Sequence, residues 1–207
     1  MSKGLFISFE GIDGSGKTTQ LELLRQRLEA EGRSVVAVRE PGGSPVAERI
    51  REVLLDASID GLNPVAEAFL YGAARAQLVA EVISPALDKG SIVIADRYLD
   101  STLAYQGYGR GLDKGFLNQL NQMAVSGTIP HLTILLDLSP AEGAVRRRGT
   151  VPDRLEQEGL AFQERVRRGY LALSCQQPER IKVVNAAQLP EKVHEEIIYL
   201  VTTYLKP

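Results

Sequence analysis

Eight residues near the start of the chain, Gly11-Ile12-Asp13-Gly14-Ser15-Gly16-Lys17-Thr18, have the types and spacing of a phosphate-binding loop. In the pattern GxxxxGK[ST], glycines let successive backbone N–H groups turn toward phosphate oxygens. The N-terminus of the following helix adds the positive end of its dipole. Lys17 then reaches the β- and γ-phosphates, and the Thr18 hydroxyl is a ligand for Mg²⁺. The motif has this meaning only between a strand and a helix. It does not choose among a GTP switch, a mechanical ATPase and a kinase. The sequence has no NKxD element to read guanine and no Asp-Glu pair after a strand to activate water. Asp96-Arg97-Tyr98 ends a later apolar run instead. Asp96 can hold Mg²⁺ directly or through water, and Arg97 can clamp a transferring phosphoryl group. The plainer alternative for that pair is an ion pair at a strand end.

The elements that must position these groups are legible. Strands are expected at Leu5–Phe9, Val35–Val38, Ile92–Ala95, Leu132–Leu136 and Ile181–Val184. They are short and continuously apolar, as in a parallel sheet covered by helices on both faces. Between them lie helical patterns. Thr18 to Ala30 places Leu21, Leu24 and Leu28 on one face. Asn63-Pro64 reads as an N-cap with proline in the first turn, and Ser139-Pro140-Ala141-Glu142 as a capping box. Leu189-Pro190 starts the last helix. The βαβα order predicts an open α/β sheet with right-handed crossovers.

Composition narrows the rest. At 207 residues, with 44% hydrophobic and 24% charged, the chain suits one globular domain with its own core. A single cysteine, Cys175, and two histidines leave no material for a disulfide framework or a His/Cys metal site. A net charge of −2 does not favour nucleic acid as a partner. No apolar run has the length of a membrane span, and the first residues do not read as a signal peptide. The expected location is therefore the cytoplasm. Cys175 is expected as a buried, inert thiol and His131 as a structural residue.

Further residues suit a phosphorylated nucleoside as acceptor. Arg39-Glu40-Pro41-Gly42-Gly43 follows the second strand, where loops line the ligand crevice. Tyr71 and Arg75, four apart, share a helix face. Such a pair stacks on a base and bonds its edge, or else is a core tyrosine beside a snorkelling arginine. Ser101-Thr102-Leu103-Ala104-Tyr105-Gln106-Gly107 supplies hydroxyl, amide and phenol groups. Arg146-Arg147-Arg148 is a basic cluster between helical patterns, either functional or a solvated helix end that complements the dipole.

The order of GIDGSGKTT at 11–19, REPGG at 39–43, the Tyr71/Arg75 helix, DRY at 96–98 and STLAYQGYGRG at 101–111 resembles bacterial thymidylate kinase. That group belongs to the P-loop nucleoside monophosphate kinases and phosphorylates dTMP with ATP and Mg²⁺ on the way to dTTP for DNA synthesis. The resemblance extends to the DR-x-E pattern at Asp153–Glu156 and so covers essentially the whole chain. It implies a five-stranded parallel sheet with helices on both faces. It also implies one kinase domain over 1–207, a basic lid at about 146–156 and a homodimer packed through helices. Neither nucleic acid nor membrane is implied as a partner.

The same resemblance implies roles residue by residue. ATP would lie on Gly11, Ile12, Asp13, Gly14, Ser15, Gly16, Lys17, Thr18 and Thr19, with Mg²⁺ on Thr18 and Asp96. Lys17, Arg97 and Asp13 would be catalytic, Asp13 approaching the 3′-hydroxyl or the acceptor phosphate. Arg39 or Arg51, with Arg97, would hold the dTMP phosphate, and Glu40 and Pro41 would shape the sugar pocket. Tyr71 would stack on thymine, Arg75 would bond its carbonyl edge, and Thr102 and Gln106 would reach its polar edge. Tyr105 would crowd the 2′ position and disfavour ribonucleotides. Arg146, Arg147, Arg148 and Arg154 would form the lid, which supplies the extra cation because Gly14 is not an arginine. Two features depart from the common pattern. Tyr71 stands where phenylalanine is usual, and the lid arginines are consecutive, with Pro152 just before Asp153. Two alternatives remain open: a kinase for another pyrimidine monophosphate such as deoxyuridylate, and a nucleotide-binding regulatory protein without catalysis.

Overall fold

Short apolar runs pair into a single sheet in the computed structural model, which describes residues 4–149 and 152–205. In chain order its elements begin with β1 (Phe6–Glu10), α1 (Lys17–Ala30), β2 (Val35–Arg39), α2 (Pro45–Leu55) and α3 (Pro64–Leu78). A π-helical turn, Val79–Ile83, leads into α4 (Ser84–Asp88) and β3 (Ile92–Asp96). Then come α5 (Leu99–Thr102), a second π-helical segment (Leu103–Gly109), α6 (Lys114–Val125), β4 (Leu132–Asp137) and α7 (Pro140–Arg146). The chain ends with α8 (Leu160–Gln176), β5 (Ile181–Asn185) and α9 (Pro190–Leu205).

All neighbouring strands are parallel, in the order β2-β3-β1-β4-β5. Every strand runs one residue past the end expected from its apolar run. Those last residues, Glu10, Arg39, Asp96, Asp137 and Asn185, are polar but still paired, as in Arg39↔Asp96 and Asp137↔Asn185. Backbone pairing does not depend on side-chain polarity, so the ladder outlasts the hydrophobic signal. The consequence is a row of polar groups at the carboxyl edge, where open α/β sheets bind ligands.

Helices bury their expected stripes. Leu21, Leu24 and Leu28 of α1 join Val193, Ile197 and Val201 of α9 against one face of the sheet. Phe162, Val166, Tyr170 and Leu173 of α8 pack with Tyr105 and Leu117 in a second cluster. Each such side chain contributes roughly 1.5–3 kcal/mol by leaving water. A Cβ at Gly169 would stand 2.7 Å from the Tyr108 ring, so glycine is what lets α8 approach the π segment. The Asn63 Oδ1 accepts the Val65 N–H at 2.8 Å, and the Ser139 hydroxyl accepts the Glu142 N–H at 3.3 Å. Both caps start their helices as the sequence predicts.

Cys175 corrects an expectation: it is exposed, not buried. The buried stripe of α8 runs through Val166, Tyr170 and Leu173, and two residues further on the helix has turned that position toward solvent. His131 is structural as expected, its Nδ1 accepting the Phe6 N–H at 2.9 Å. Among the described residues, no helix is long and apolar enough to cross a membrane.

Candidate active site

The carboxyl ends of β1, β2 and β3 face a cavity of about 940 Å³. The phosphate loop forms one wall. Gly14 has φ +82°, and a Cβ there would lie 2.5 Å from the Gly143 carbonyl, so both conformation and space demand glycine. Helix α1 starts at Lys17, and the N–H groups of its first turn have no intrahelical acceptor. The Lys17 ammonium is buried and folds back on its own loop, donating to the carbonyls of Gly11 (3.1 Å) and Ile12 (3.0 Å). Burial pushes its pKa down to about 8, and Arg97 adds to the fall. Gly11 and Ile12 lie behind the cavity wall and contribute these carbonyls, whereas Asp13 through Thr19 line it. The buried Ser15 hydroxyl has no partner among the described residues. Thr18 Oγ1 donates to Asp96 Oδ2 at 2.7 Å, so the two expected Mg²⁺ ligands are neighbours. A hydroxyl and a carboxylate facing a polyphosphate site are the hard oxygen set Mg²⁺ takes, with the remaining positions left to phosphate and water.

Arg97 occupies the centre of the site. It adopts φ 71°, in the left-handed region, which costs about 1–3 kcal/mol for a non-glycine residue. Packing and hydrogen bonds hold it there. Its N–H donates to Phe9 O at 2.9 Å, and Nη1 donates to Gly11 O (2.9 Å) and Tyr170 Oη (3.2 Å). Nη2 pairs with Asp13, whose other oxygen accepts the Tyr105 hydroxyl at 3.1 Å. Burial raises the Asp13 pKa, but Arg97, Lys17 and Arg147 outweigh it and leave the group at about 2. Behind Arg97 sits Glu10, fully buried, accepting from Tyr98 N–H, Ser101 and Tyr170. Burial, with Asp100 adding, pushes Glu10 up to about 7. The expectation identified none of Glu10, Ser101 (as a partner of Arg97) or Tyr170. They sit on three different elements, and no local pattern joins them.

The opposite wall brings together most of the expected acceptor residues. Arg39, Glu40, Pro41, Arg51, Tyr71, Thr102, Tyr105 and Gln106 all line the cavity. Arg39 is paired with Glu48 at 3.1 Å, and Arg51 donates to Pro41 O at 2.7 Å. Arg75 departs from expectation. It is 1% exposed and does not line the cavity. Its donors are occupied by Glu40, Thr102, Asn121 and Tyr98 O. Glu40, raised by burial and opposed by Arg75, completes that pair. Arg75 therefore stands behind Thr102, bonded to its hydroxyl oxygen. The Tyr71 hydroxyl has no protein partner among the described residues.

The basic segment divides. Arg146, the last residue of α7, and Arg147 line the cavity. Arg146 Nη2 donates to Ala186 O at 2.8 Å, and Arg147 pairs with Glu156 at 2.9 Å. Arg148 is exposed and outside it. Arg154 is also outside, turned inward to Glu67 at 2.6 Å and Leu54 O at 3.0 Å. Consecutive residues at a helix end diverge in direction, so an unbroken run of three cannot all meet one cavity. Thr150 and Val151, within the expected lid, lie outside the described residues. Asp153, Leu155 and Glu156, of the pattern expected at Asp153–Glu156 but given no role there, line the cavity, as do Ala186 to Leu189 after β5 and Pro190 at the start of α9.

With this geometry in place, comparison with known proteins is decisive. A family model described as thymidylate kinase matches residues 9–197. The chain belongs to the thymidylate kinase family. A thymidylate kinase of Syntrophotalea carbinolica is 54% identical over 206 residues, covering 96% of this chain and 94% of the relative. One of Deinococcus radiodurans is 51% identical, covering 95% and 96%. The crystal structure of thymidylate kinase from Ehrlichia chaffeensis superposes with a TM-score of 0.78 at 35% identity, over 96% of this chain and 99% of that one. The P-loop kinase fold expected from the motifs is thus the family's fold.

Proposed function

We propose that this chain transfers the γ-phosphoryl group of MgATP to dTMP, yielding ADP and dTDP on the route to dTTP, with the residues above in the following roles. The observation that carries the assignment is one cavity with a phosphate loop on one wall and Tyr71, Thr102 and Gln106 on the other, Arg97 and Asp13 between them. The bond from phosphorus to the β–γ bridging oxygen breaks as a dTMP phosphate oxygen bonds to the same phosphorus. That oxygen is largely ionised at neutral pH, with a second pKa of about 6, so no general base is required. Alignment and charge cancellation are what the protein supplies.

Lys17 leaves the loop carbonyls for the phosphates, and Thr18 and Asp96 hold Mg²⁺. Arg97, with Arg39 or Arg51, holds the dTMP phosphate. Asp13 keeps Arg97 oriented and, with the Tyr105 ring, fills the space a 2′-hydroxyl would need. Tyr71 stacks on the base, whose polar edge meets Thr102 and Gln106. Of the basic segment, Arg146 and Arg147 face the transferring group. The unit is one kinase domain over residues 1–207. Exposed Val65 and Phe69 on α3 and Met123 on α6, with Phe116 packed on Phe69, form an outward apolar strip. That strip supports a homodimer packed through these helices. A free, exposed Cys175 suits a reducing compartment, and we place the reaction in the cytoplasm.

The test is ADP release from MgATP with dTMP, dUMP, UMP, dCMP and AMP. Strongest turnover with dTMP and weak turnover with UMP is expected. Faster turnover with another acceptor keeps the chemistry and discards the base assignment, and nucleotide binding without turnover on any of them restores the regulatory alternative. Light scattering should give twice the chain mass, and Phe69→Glu should halve it.

A further inference from the structure

Glu67 is the most buried acid in contact with the acceptor wall that the reaction itself does not use. It lies on α3 one turn before Tyr71, is 0% exposed and does not line the cavity. Three N–H donors and one further guanidinium converge on it. Gln106 Nε2 donates at 2.8 Å, Arg110 approaches through Nε (3.3 Å) and Nη2 (3.2 Å), and Arg154 stands at 2.6 Å. The consequence concerns Gln106, which is 1% exposed and lines the cavity. A carboxylate flanked by two guanidiniums only accepts hydrogen bonds, so the Gln106 amide must show it the NH₂ group. The carbonyl Oε1 is then left for the cavity, and no donor among the described residues reaches it. Thr102 is matched in the opposite sense. Its oxygen accepts from Arg75 Nη1 at 2.9 Å, and no acceptor among the described residues takes its hydroxyl proton.

We infer that Glu67 is a specificity-determining positioning residue that locks Gln106 as a hydrogen-bond acceptor toward the base and thereby selects pyrimidines that carry a proton on ring N3. This rests on the proposed place of the base beside Gln106 and Thr102. A thymine or uracil ring offers N3–H between two carbonyls, which fits an acceptor beside a donor. Cytosine offers a lone pair at N3, which faces the Gln106 carbonyl oxygen with like polarity, and it has an amino group in place of the carbonyl to which the Thr102 hydroxyl would donate. A polar group left facing its own kind in a dry site discriminates strongly. Because Arg154 sits on the same carboxylate, the segment after the basic cluster is tied to the orientation of the base-reading amide.

The experiment measures kcat and KM for dTMP and dCMP in the intact enzyme and in E67Q and E67D. In E67Q the residue can donate as well as accept, so Gln106 is free to flip. The dTMP-to-dCMP ratio of kcat/KM should narrow at least tenfold, mainly through KM, while E67D retains most of the native ratio. A ratio in E67Q within twofold of native overturns the inference, as does equal narrowing in E67D, which would mark a merely structural role. Should E67Q fail to fold, the unmodified enzyme still decides: dCMP must bind at least 100-fold more weakly than dTMP, and binding within fivefold overturns the lock. Q106A separates the two layers. An unchanged dTMP KM there removes Gln106 from the base and takes the site reading with it. A raised KM beside an unaltered ratio in E67Q removes only Glu67.

Discussion

The acceptor wall and the basic segment carry the same kinds of residue and treat them differently. In the wall, Arg75 and Glu40 are almost wholly buried, 2.7 Å apart, and every donor of the guanidinium is used. Across the cavity, Arg146 ends a short helix with a 2.8 Å bond to a carbonyl, and Arg148 lies in solvent. A buried charge must be fully paired, because an unpaired one costs several kcal/mol. An exposed one is solvated by water and is free to find a phosphate. The wall is therefore organised before substrate arrives, whereas the basic segment combines a solvent-exposed Arg148 with Arg146 and Arg147, which are partnered at the cavity. Pre-organisation serves discrimination between bases, whereas charge cancellation needs cations that are available when the phosphates meet.

The largest expected effect breaks the bridge between the two regions. Arg97→Ala should lower kcat on the order of 10³-fold or more, with the KM for ATP changed by no more than about threefold. Near-normal turnover would remove its role. Next comes the wall itself. Arg75→Ala leaves Glu40 buried and unpaired and should destabilise the fold by about 3–5 kcal/mol in urea unfolding. A loss below about 1 kcal/mol would mean that the wall is not the rigid half. On the other side, Arg147→Ala should reduce kcat on the order of 10²-fold with unfolding unchanged within about 0.5 kcal/mol. A large stability loss and little kinetic effect would reverse the contrast.

A smaller effect comes from Lys17. Its pKa of about 8 in the free protein must rise when polyphosphate binds, since the anion favours the charged ammonium. Binding then takes up a proton above that pH. ATP affinity measured by calorimetry should weaken by up to roughly tenfold per unit as pH climbs from 8, by the ordinary linkage of proton and ligand binding. A flat profile between 8 and 9.5 would place Lys17 elsewhere. The smallest effect is Arg148→Ala, with turnover within about twofold and stability within about 0.5 kcal/mol of the parent.

Local grammar made much of this protein readable. Strand, glycine turn and helix are written in adjacent residues at 6–30, so the phosphate loop and its context appear together. The five apolar runs and the caps at Asn63 and Ser139 are equally local. The π segment Leu103–Gly109 was not readable. Its extra residue per turn, marked by Arg110 N–H bonding to Tyr105 O at 2.9 Å, has no signature distinct from a helix. Yet this segment carries Tyr105 and Gln106, which both line the cavity. Cys175 shows the same limit in reverse, since an apolar neighbourhood in sequence does not say which side of the helix a residue occupies.

What the sequence determined by itself was the parallel sheet, its order of helices, the phosphate loop and the family that the chain resembles. Residue types and short spacings are sufficient for those. Only the tertiary structure decided that Arg146 and Arg147 reach the cavity while Arg148 and Arg154 do not. It also decided that Arg75 stands behind Thr102, that Glu10 and Tyr170 support Arg97, and that Glu67 sets the polarity of Gln106. The physical reason is distance along the chain. Glu67 meets Gln106 across 39 residues, and Glu10 meets Tyr170 across 160. Such contacts exist only because helices pack on a sheet at particular angles, and a side chain's direction within that packing is written in no single stretch of sequence.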